Sequence, residues 1–461
     1  MSAVSNLPMP PALAPCLPDF GFSACRLPAR LARCVVLGLL FSLVFLPEYV
    51  QGRSDPTAKS FLYQRALSGF RFIDIAILLL SAVHAIALSC SRRKSISFPR
   101  APLLMAAGFG GSIIVSACYG ALHGGENLFF DWRAMALGVC LYVVYGFWVQ
   151  SAADAQRAMT LFGIYVAARI AILLAFYTIG RGDLLLGVRI PVFDGPTLSA
   201  IVCAGVIGLG LSGRDSDGKR RRLWLPLSGA ACLVVALSFR RTYWAELLAG
   251  AALLVVVRKQ QALRSFVILA ASVAVAALIL GTAFYSRLQS LDFTDGDSHY
   301  SADNSDHVGD VLDAWEEVQR APLAGLGLGR SYPTWRIRDW KDESVMVHNA
   351  PLHVWLKYGL LGLFFFILYH ITLFRELRHR QRNLASAQAT LVTVVLAYLA
   401  AQSIVSLGFT PWPYSSVQSA NLIAFLLAVA FAKNSPCHDQ RFPLSHPPST
   451  VLDISKTRSS A

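Results

Sequence analysis

The sequence predicts an all-α integral membrane protein with about 12 transmembrane helices. The first observation is composition: 55% of the 461 residues are hydrophobic and only 15% are charged, whereas a soluble domain has about 25% charged residues. The second is a series of apolar runs of about 20 residues, the length of a helix that crosses a bilayer. The third is one long polar segment, residues 286–350, which interrupts this series.

The chain begins with a Pro-rich segment, residues 1–30, which has no apolar core and is predicted to be a disordered cytoplasmic tail. The first apolar run exceeds a signal-peptide core and precedes no small-x-small cleavage site, so a retained anchor is favoured over a signal peptide. Nine spans are predicted in 31–285 and three more in 351–432, and residues 433–461 are predicted to be a polar, disordered cytoplasmic tail. The predicted spans are 31–46, 72–89, 101–119, 134–150, 159–179, 196–212, 223–239, 243–257, 265–285, 351–374, 387–407 and 416–431.

Basic residues predict the orientation of these spans. They concentrate in alternate loops, at 92–94, 219–222, 258–259 and 375–382. Because cytoplasmic loops are enriched in Lys and Arg, both termini are expected in the cytoplasm and the 286–350 loop outside it. The net charge of +14 is explained in this way, so no nucleic-acid partner is expected. Nine Cys without a CxxC pair predict neither a disulfide framework nor a metal site, and no cofactor is expected.

Several arginines lie at outer span ends, where this rule should make them rare. Arg240 and Arg241 are adjacent in a tight turn between two spans. They could snorkel to lipid phosphates, or they could form an anion site, since guanidinium groups match phosphate oxygens bidentately. We favour the anion site, and Arg189 has the same two interpretations. Arg169, in the middle of a span, predicts a structural ion pair with an acidic partner, Asp74 or Glu246.

The polar loop contains a predicted amphipathic helix that begins near Ser305 or Asp306 and ends before Pro322. Acidic residues occupy the opposite face, and the helix is expected to lie along the membrane surface. A glycine run follows it; a nucleotide site would need a βαβ context, so close packing is the favoured explanation. The apolar face comprises Val308, Val311, Leu312, Trp315 and Val318.

His348 stands where the loop meets the next span. A single His near a membrane interface is usually a structural hydrogen-bonding residue. Its proximity in depth to the Arg-rich span ends favours a second interpretation, in which neutral imidazole accepts a proton from a hydroxyl nucleophile. Arginines can stabilise a departing diphosphate without a metal. Together these features indicate glycosyl transfer from a lipid diphosphate at the outer leaflet.

The run "RAPLAGLGLGRSYPTW … VMVHNAPLHVWLKYGLLGLFFFILY" resembles the O-antigen ligase/polymerase family of bacterial envelope glycosyltransferases. That family typically has P-x-x-G-x-G-x-G, then H-N-x-x-L, then G-x-x-G inside the next span. The resemblance covers roughly residues 190–430. The matching positions are Pro322, Gly325, Gly327 and Gly329, then His348, Asn349 and Leu352, then Gly359 and Gly362.

Two earlier segments, "SFRRTYW" and "RIPVFDGPTLSA", are similar to further elements of that family. The resemblance implies that His348 activates the acceptor hydroxyl and that Arg189, with Arg240 or Arg241, binds the diphosphate. The further substrate-side candidates are Asn349, Arg330 and His307. Two departures concern the family's Ser-Gly-Arg, which is replaced by Ser305, Asp306 and His307, and its Pro-Asn, which is replaced by Pro196 and Thr197. His307 therefore either takes part of the missing Arg role, or that role is absent.

The resemblance implies a metal-independent transferase in the bacterial inner membrane, with its active site on the periplasmic face. The expected donor is a glycan on undecaprenyl diphosphate, and the acceptor is lipid A-core in a ligase or a growing polysaccharide in a polymerase. These motifs do not separate the two, and topology slightly favours the ligase. A polysaccharide transporter or flippase fits the span number equally well. However, its long loop would be central and cytoplasmic between repeated halves.

Overall fold

The computed structural model describes residues 26–45, 65–67, 70–91, 95–126, 128–178, 183–185, 188–190, 195–211, 218–238, 240–257, 262–281, 299–336, 343–344, 347–384, 386–407 and 416–433. The helices in this part of the chain are α1 Arg26–Phe45, α2 Phe72–Cys90, α3 Arg100–Leu122, α4 Leu128–Trp148, α5 Ala152–Thr178, α6 Gly195–Leu211, α7 Gly218–Leu237, α8 Arg241–Val257, α9 Ala262–Leu280, α10 His299–Arg320, α11 Ala350–Asn383, α12 Ser386–Ser406 and α13 Val417–Phe431.

Short strands accompany the helices as antiparallel two-stranded pairs. Each strand covers only two or three residues. The pairs are β1 Arg65–Leu67 with β2 Phe70–Arg71, β3 Asp183–Leu185 with β4 Val188–Ile190, and β5 Tyr332–Pro333 with β6 Glu343–Ser344. The all-α class is confirmed, because these pairs add no layer to the fold.

Each predicted span coincides with one helix, and α10 is the additional polar helix. Among the described residues, five helices are long and apolar enough to cross a membrane, in α2, α3, α5, α11 and α12. Shorter apolar helices lie in α1, α6, α7, α9 and α13. The membrane class is therefore supported, while the count of about 12 spans stays a prediction.

Helix ends differ from the predicted span ends where polar turns remain helical. The predicted span 159–179 begins at Ala152 in the structure, and the predicted span 351–374 continues to Asn383. Apolar composition marks only the part of a helix that lipid or core surrounds. Polar first and last turns extend a helix without changing its apolar segment.

The core of the bundle forms around α6, whose residues from Thr197 to Leu211 are all buried. A helix that is apolar all round is expected at the centre of a large helical protein. It packs against α5, α7, α8 and α12. Close approach to α7 requires Gly208, since a Cβ there would lie 2.7 Å from the Cβ of Ser228. Small residues let membrane helices pack in this way without bulky side chains between them.

Contacts divide the helix ends into two groups. At the first, the basic end, Lys433 donates its backbone N–H to Gln150 at 3.1 Å and accepts one from Ala152 at 3.1 Å. There Arg380 also donates to the carbonyl oxygen of Ala432 at 3.0 Å. The starts of α5 and α12 and the ends of α4, α11 and α13 thus lie together, as the alternation of predicted spans requires.

The opposite end, the loop end, comprises the end of α3, the starts of α4, α8 and α11, the end of α12, and residues 321–336. Here α10 buries residues of both its acidic and its apolar face against the protein. Its acidic residues Asp310 and Asp313 are each only 1% exposed, whereas Val308 is 59% and Leu312 45% exposed. Basic and imidazole groups of the following loop occupy the acidic face. Val308, Leu312 and Trp315 of the apolar face are exposed to the surroundings, whereas Val318 of the same face is 1% exposed and packs with Leu326 and Leu352. The position of the helix at the membrane surface stays a prediction.

Candidate active site

Residues 321–330, the glycine loop, lie directly on the backbones of two helices. Gly325, Gly327 and Gly329 have φ of 68°, 87° and 77°, a region that other L-residues rarely adopt. A Cβ at Gly325 would lie 2.5 Å from the carbonyl oxygen of Leu356 in α11. A Cβ at Gly327 would lie 2.8 Å from the backbone nitrogen of Gly120 in α3. The glycine spacing therefore serves close backbone packing, as the sequence predicts.

Helix α11 is kinked at Gly359, which has φ 69° and ψ −174°. The glycine loop pairs with the backbone groups that this kink leaves without helical partners. In a regular helix the N–H of Leu360 would donate to the carbonyl of Leu356. Instead it donates to Leu323 at 3.1 Å, and Leu356 accepts from Leu326 at 2.6 Å. Both groups freed by the kink are paired with the glycine loop. Such pairing is necessary where water is excluded, because an unpaired backbone group there costs several kcal/mol.

A buried ion pair lies beneath this loop. The Lys357 side chain is fully buried, and its Nζ lies 3.1 Å from Oδ2 of Asp131 in α4. Nζ also donates to the carbonyl oxygen of Arg330. The same Oδ2 of Asp131 accepts the backbone N–H of Gly329 at 2.9 Å. One ion pair thus fixes the end of the glycine loop between α4 and α11.

His348 is held by Asp310 of α10. Oδ2 of Asp310 accepts from the backbone N–H of His348 at 2.9 Å and from its Nδ1 at 3.1 Å. The Tyr332 hydroxyl donates to the other oxygen, Oδ1. Burial raises the pKa of Asp310, but the hydrogen bonds from His348 and Tyr332 together outweigh burial and hold that pKa below its ordinary value. An ionised carboxylate can only accept, so in the neutral form of the His348 ring Nδ1 carries the proton and Nε2 has the lone pair.

Asn349 caps the start of α11. Its Oδ1 accepts the backbone N–H of Leu352 at 2.9 Å, and its Nδ2 donates to the carbonyl oxygen of Leu407. The cap fixes the first turn of α11 and attaches it to the end of α12. This arrangement places His348, the preceding residue, at the junction of the two helices. The predicted contact of Asn349 with substrate stays a prediction.

The two adjacent arginines begin α8. Arg240 is exposed, and its carbonyl accepts from the backbone N–H groups of Tyr243 at 3.1 Å and Trp244 at 3.3 Å. Arg241 is the first residue of the helix and is half-buried. Its guanidinium and that of Arg240 are predicted diphosphate ligands.

The direction of α8 places these arginines at the loop end. Glu246 lies beside Tyr398 of α12, while Leu254, further along α8, lies with Val394 against Gly210. Contacts thus advance along α8 as they recede along α12, so the two helices are antiparallel. The start of α8 therefore lies near the end of α12 to which Asn349 is bonded. Approach of either guanidinium to His348 stays a prediction.

The other predicted substrate residues lie in three different elements. Arg189 is in β4, paired in register with Leu184, and His307 is in α10; both side chains fall outside the described residues. Arg330 ends the glycine loop, is half-buried, and donates from Nη1 to the carbonyl of Leu326 at 3.4 Å. Only Arg330 of these three is placed, with its side chain, beside the glycine loop.

Asp74 is not the partner of Arg169. Both its oxygens accept from Nε of Arg133 at 2.8 Å, so the predicted pair with Arg169 is wrong for this carboxylate. Asp74 lies in the first turn of α2, facing α4, whereas Arg169 lies deep in α5. Nε of Arg169 is buried with no hydrogen-bond partner in the part of the chain that the structure describes.

Four residues of this arrangement were not singled out from the sequence: Asp310, Tyr332, Asp131 and Lys357. Asp310, Asp313 and Glu317 have i, i+3, i+7 spacing, which puts three carboxylates on one stripe of a helix. That stripe could have indicated a contact face rather than a solvated one. Lys357 is an ionisable residue inside an apolar run, which is itself a signal of a specific partner. The described residues contain no group of three or more His, Cys, Asp or Glu placed to hold a metal ion.

A sequence profile of the O-antigen ligase family matches residues 225–367. This stretch contains α8, α10, the glycine loop, His348 and the kink at Gly359. Among curated proteins, no match to the chain is found. The glycines at positive φ, the histidine at the start of α11 and the profile match agree on one assignment. The match over residues 225–367 therefore supports membership of the O-antigen ligase/polymerase family.

Proposed function

We propose that this protein transfers a saccharide from undecaprenyl diphosphate to an acceptor hydroxyl on the periplasmic face of the inner membrane. The proposed acceptor is lipid A-core, as in an O-antigen ligase. The observation that supports this most directly is the hydrogen bond between Nδ1 of His348 and the buried carboxylate of Asp310, 3.1 Å long. It leaves Nε2 as the atom that can accept a proton from a hydroxyl.

The reaction follows from this geometry. The acceptor oxygen attacks the anomeric carbon, and its proton passes to Nε2 of His348. The bond between the anomeric carbon and the diphosphate oxygen breaks, and the electron pair leaves with the diphosphate. Arg189, with Arg240 or Arg241, stabilises the developing negative charge through bidentate hydrogen bonds. Attack opposite the leaving group inverts the anomeric centre, and retention in the product, measured by NMR, would contradict this mechanism.

The proposed location follows from the two ends of the bundle. Cytoplasmic loops are enriched in basic residues, so the basic end is assigned to the cytoplasm and the loop end to the periplasm. The exposed apolar residues of α10, Val308, Leu312 and Trp315, are then in contact with the outer leaflet. A diphosphate at the head of a membrane lipid would lie at this depth, next to the start of α8 and to His348.

A polymerase of the same family would use the same leaving-group chemistry with a lipid-linked repeat as acceptor. A deletion strain distinguishes the two by its lipopolysaccharide banding. Loss of the ladder with accumulation of long lipid-linked polymer indicates a ligase, and accumulation of single lipid-linked repeats indicates a polymerase. A flippase is less favoured because it assigns no reaction to the Asp310-bound histidine, and it predicts that His348→Ala remains active.

The transferase proposal is tested by His348→Ala, with His123→Ala as the matched control. His123 is an exposed histidine at the same end of the bundle, where its Nδ1 bonds to the carbonyl of Tyr119. Both variants are expected to insert and fold normally. His348→Ala should lower transfer by about 100-fold or more, the usual contribution of a general base. Full transfer by His348→Ala would overturn the proposal.

Arg240→Lys and Arg241→Lys, made separately, test the diphosphate ligands. Each keeps the charge but loses the planar fork of guanidinium. At least one is expected to lower transfer without altering the amount of folded protein. Full activity in both would exclude a bidentate diphosphate contact from these residues.

A further inference from the structure

The match to the family gives no role to Asp310. Its side chain is 1% exposed, and one of its oxygens contacts both the backbone N–H and the ring Nδ1 of His348. We propose that Asp310 is a positioning residue for the transfer reaction, which fixes the ring orientation and tautomer of His348 and stabilises the imidazolium formed when Nε2 accepts a proton. This inference rests on the proposed function.

Asp313, a second buried carboxylate on the same helix, has a purely structural role and serves as the comparison for Asp310. Asp313 lies one turn further along α10 and is equally buried. It accepts the backbone N–H groups of Trp335 at 2.9 Å and Arg336 at 3.2 Å, and it pairs with the Arg336 guanidinium. Its partners are backbone groups and a permanent cation, so Asp313 attaches the loop to α10. Asp310 has the equivalent backbone bond and, in addition, the imidazole.

The imidazole bond is not needed to hold the loop in place. The backbone N–H of His348 already attaches residue 348 to Oδ2 of Asp310. The bond to Nδ1 constrains only the rotation of the ring and the position of its proton. Tyr332 in turn fixes the carboxylate by donating to Oδ1. Tyr332, Asp310 and His348 thus form a chain, in which the first two residues determine the direction in which Nε2 of His348 points.

The carboxylate also changes the energy of the reacting state. When Nε2 accepts the hydroxyl proton, the ring becomes a cation 3.1 Å from a buried anion. Such attraction is stronger in a partly desolvated site than in water, and it acts on the protonated state formed during transfer. Asn at position 310 could present its amide N–H to Nδ1. That arrangement would favour the tautomer with the proton on Nε2, which cannot act as a base.

The test compares Asp310→Asn with Asp313→Asn in membranes of a deletion strain. The probe is the lipid-linked glycan extracted from that deletion strain, supplied over a range of concentrations. Maximal rates are divided by the amount of folded protein from fluorescence-detected size exclusion. Asp310→Asn is expected to lower the maximal rate by about 100-fold or more with KM unchanged within about twofold. Asp313→Asn is expected to change the rate per folded molecule by no more than about threefold.

A double-mutant cycle separates positioning from structural support. If Asp310 acts through His348, then Asp310→Asn should cause no further loss in the His348→Ala protein. Additive losses, or equal losses in Asp310→Asn and Asp313→Asn, would overturn the inference. Should His348→Ala retain full transfer, the proposed function itself fails. Should His348→Ala lose transfer while Asp310→Asn retains it, only the role of Asp310 fails.

Discussion

The two ends of the helical bundle are stabilised by different kinds of polar contact. At the basic end the Arg33–Asp154 pair is partly exposed, with 28% of the Arg33 side chain accessible. At the loop end three carboxylates, those of Asp131, Asp310 and Asp313, are almost fully buried. Each of them accepts at least one loop backbone N–H and also contacts a cationic or imidazole side chain.

This difference indicates where precise geometry is needed. Exposed ion pairs contribute little, typically about 0–1 kcal/mol, and tolerate movement. A buried carboxylate is stable only when its partners are placed correctly, because desolvation is costly. The loop end therefore has one arrangement for the glycine loop, α10 and His348. The basic end satisfies backbone groups without imposing comparable precision.

Gly359→Ala should have the largest effect of the variants that test this comparison. At φ 69° a Cβ is strained, and it would clash with the carbonyl oxygen of Leu323. We expect a loss of about 3–5 kcal/mol in the free energy of unfolding. Gly111→Ala in α3 is the control, since its Cβ meets nothing within 4 Å. Unfolding of both proteins in mixed micelles measures the difference, and equal stability would refute the role assigned to the kink.

Lys357→Met should have the next largest effect, a loss of about 3 kcal/mol in the free energy of unfolding, because it leaves the Asp131 carboxylate buried without its cation. Adding Asp131→Asn to that variant removes the uncompensated charge, so stability should partly recover. The same unfolding experiment measures this recovery. A double variant that is less stable than Lys357→Met would argue against an ion pair beneath the glycine loop.

A change of pH is expected to have a smaller effect on the stability of the folded protein. The folded pKa of Asp310 lies below its ordinary value, so its ionisation stabilises the folded state above the unfolded pKa, about 3.9. This contribution is lost as pH falls from about 5 through the folded pKa. Thermal unfolding of the purified protein should therefore depend less on pH in this range in Asp310→Asn. An identical pH dependence in the two proteins would contradict the prediction.

Arg33→Ala at the basic end should have the smallest effect, below about 1 kcal/mol. Asp154 keeps the Ser151 hydroxyl, which donates to it at 2.9 Å, after the change. Thermal unfolding of Arg33→Ala, measured together with Lys357→Met, would show whether the two ends of the bundle differ as proposed. A loss as large as that of Lys357→Met would remove the distinction between them.

The sequence predicts most of the fold because a bilayer fixes the length of an apolar helix. All predicted spans coincide with helices, and the polar helix before Pro322 is present as α10. The sequence also indicated the glycine loop by its spacing, and His348 by its position where the loop meets the next span and by the resemblance to the family. Because successive spans alternate in direction, the sequence also placed the starts of α8 and α11 at the same end of the bundle. The antiparallel packing of α8 and α12 supports this placement.

Tertiary structure alone decided which groups meet. His348 and Asp310 are 38 residues apart, and nothing in local periodicity identifies such a partner. The orientation of α10 was left open by its amphipathic pattern, which shows that two faces differ but not which one the protein covers; only the stripe of three carboxylates indicated a contact face. Asp310 and Asp313 are buried because the following loop brings an imidazole to the first and a guanidinium to the second. The sequence by itself therefore determined the helices and the candidate base, and long-range hydrogen bonds determined how that base is held.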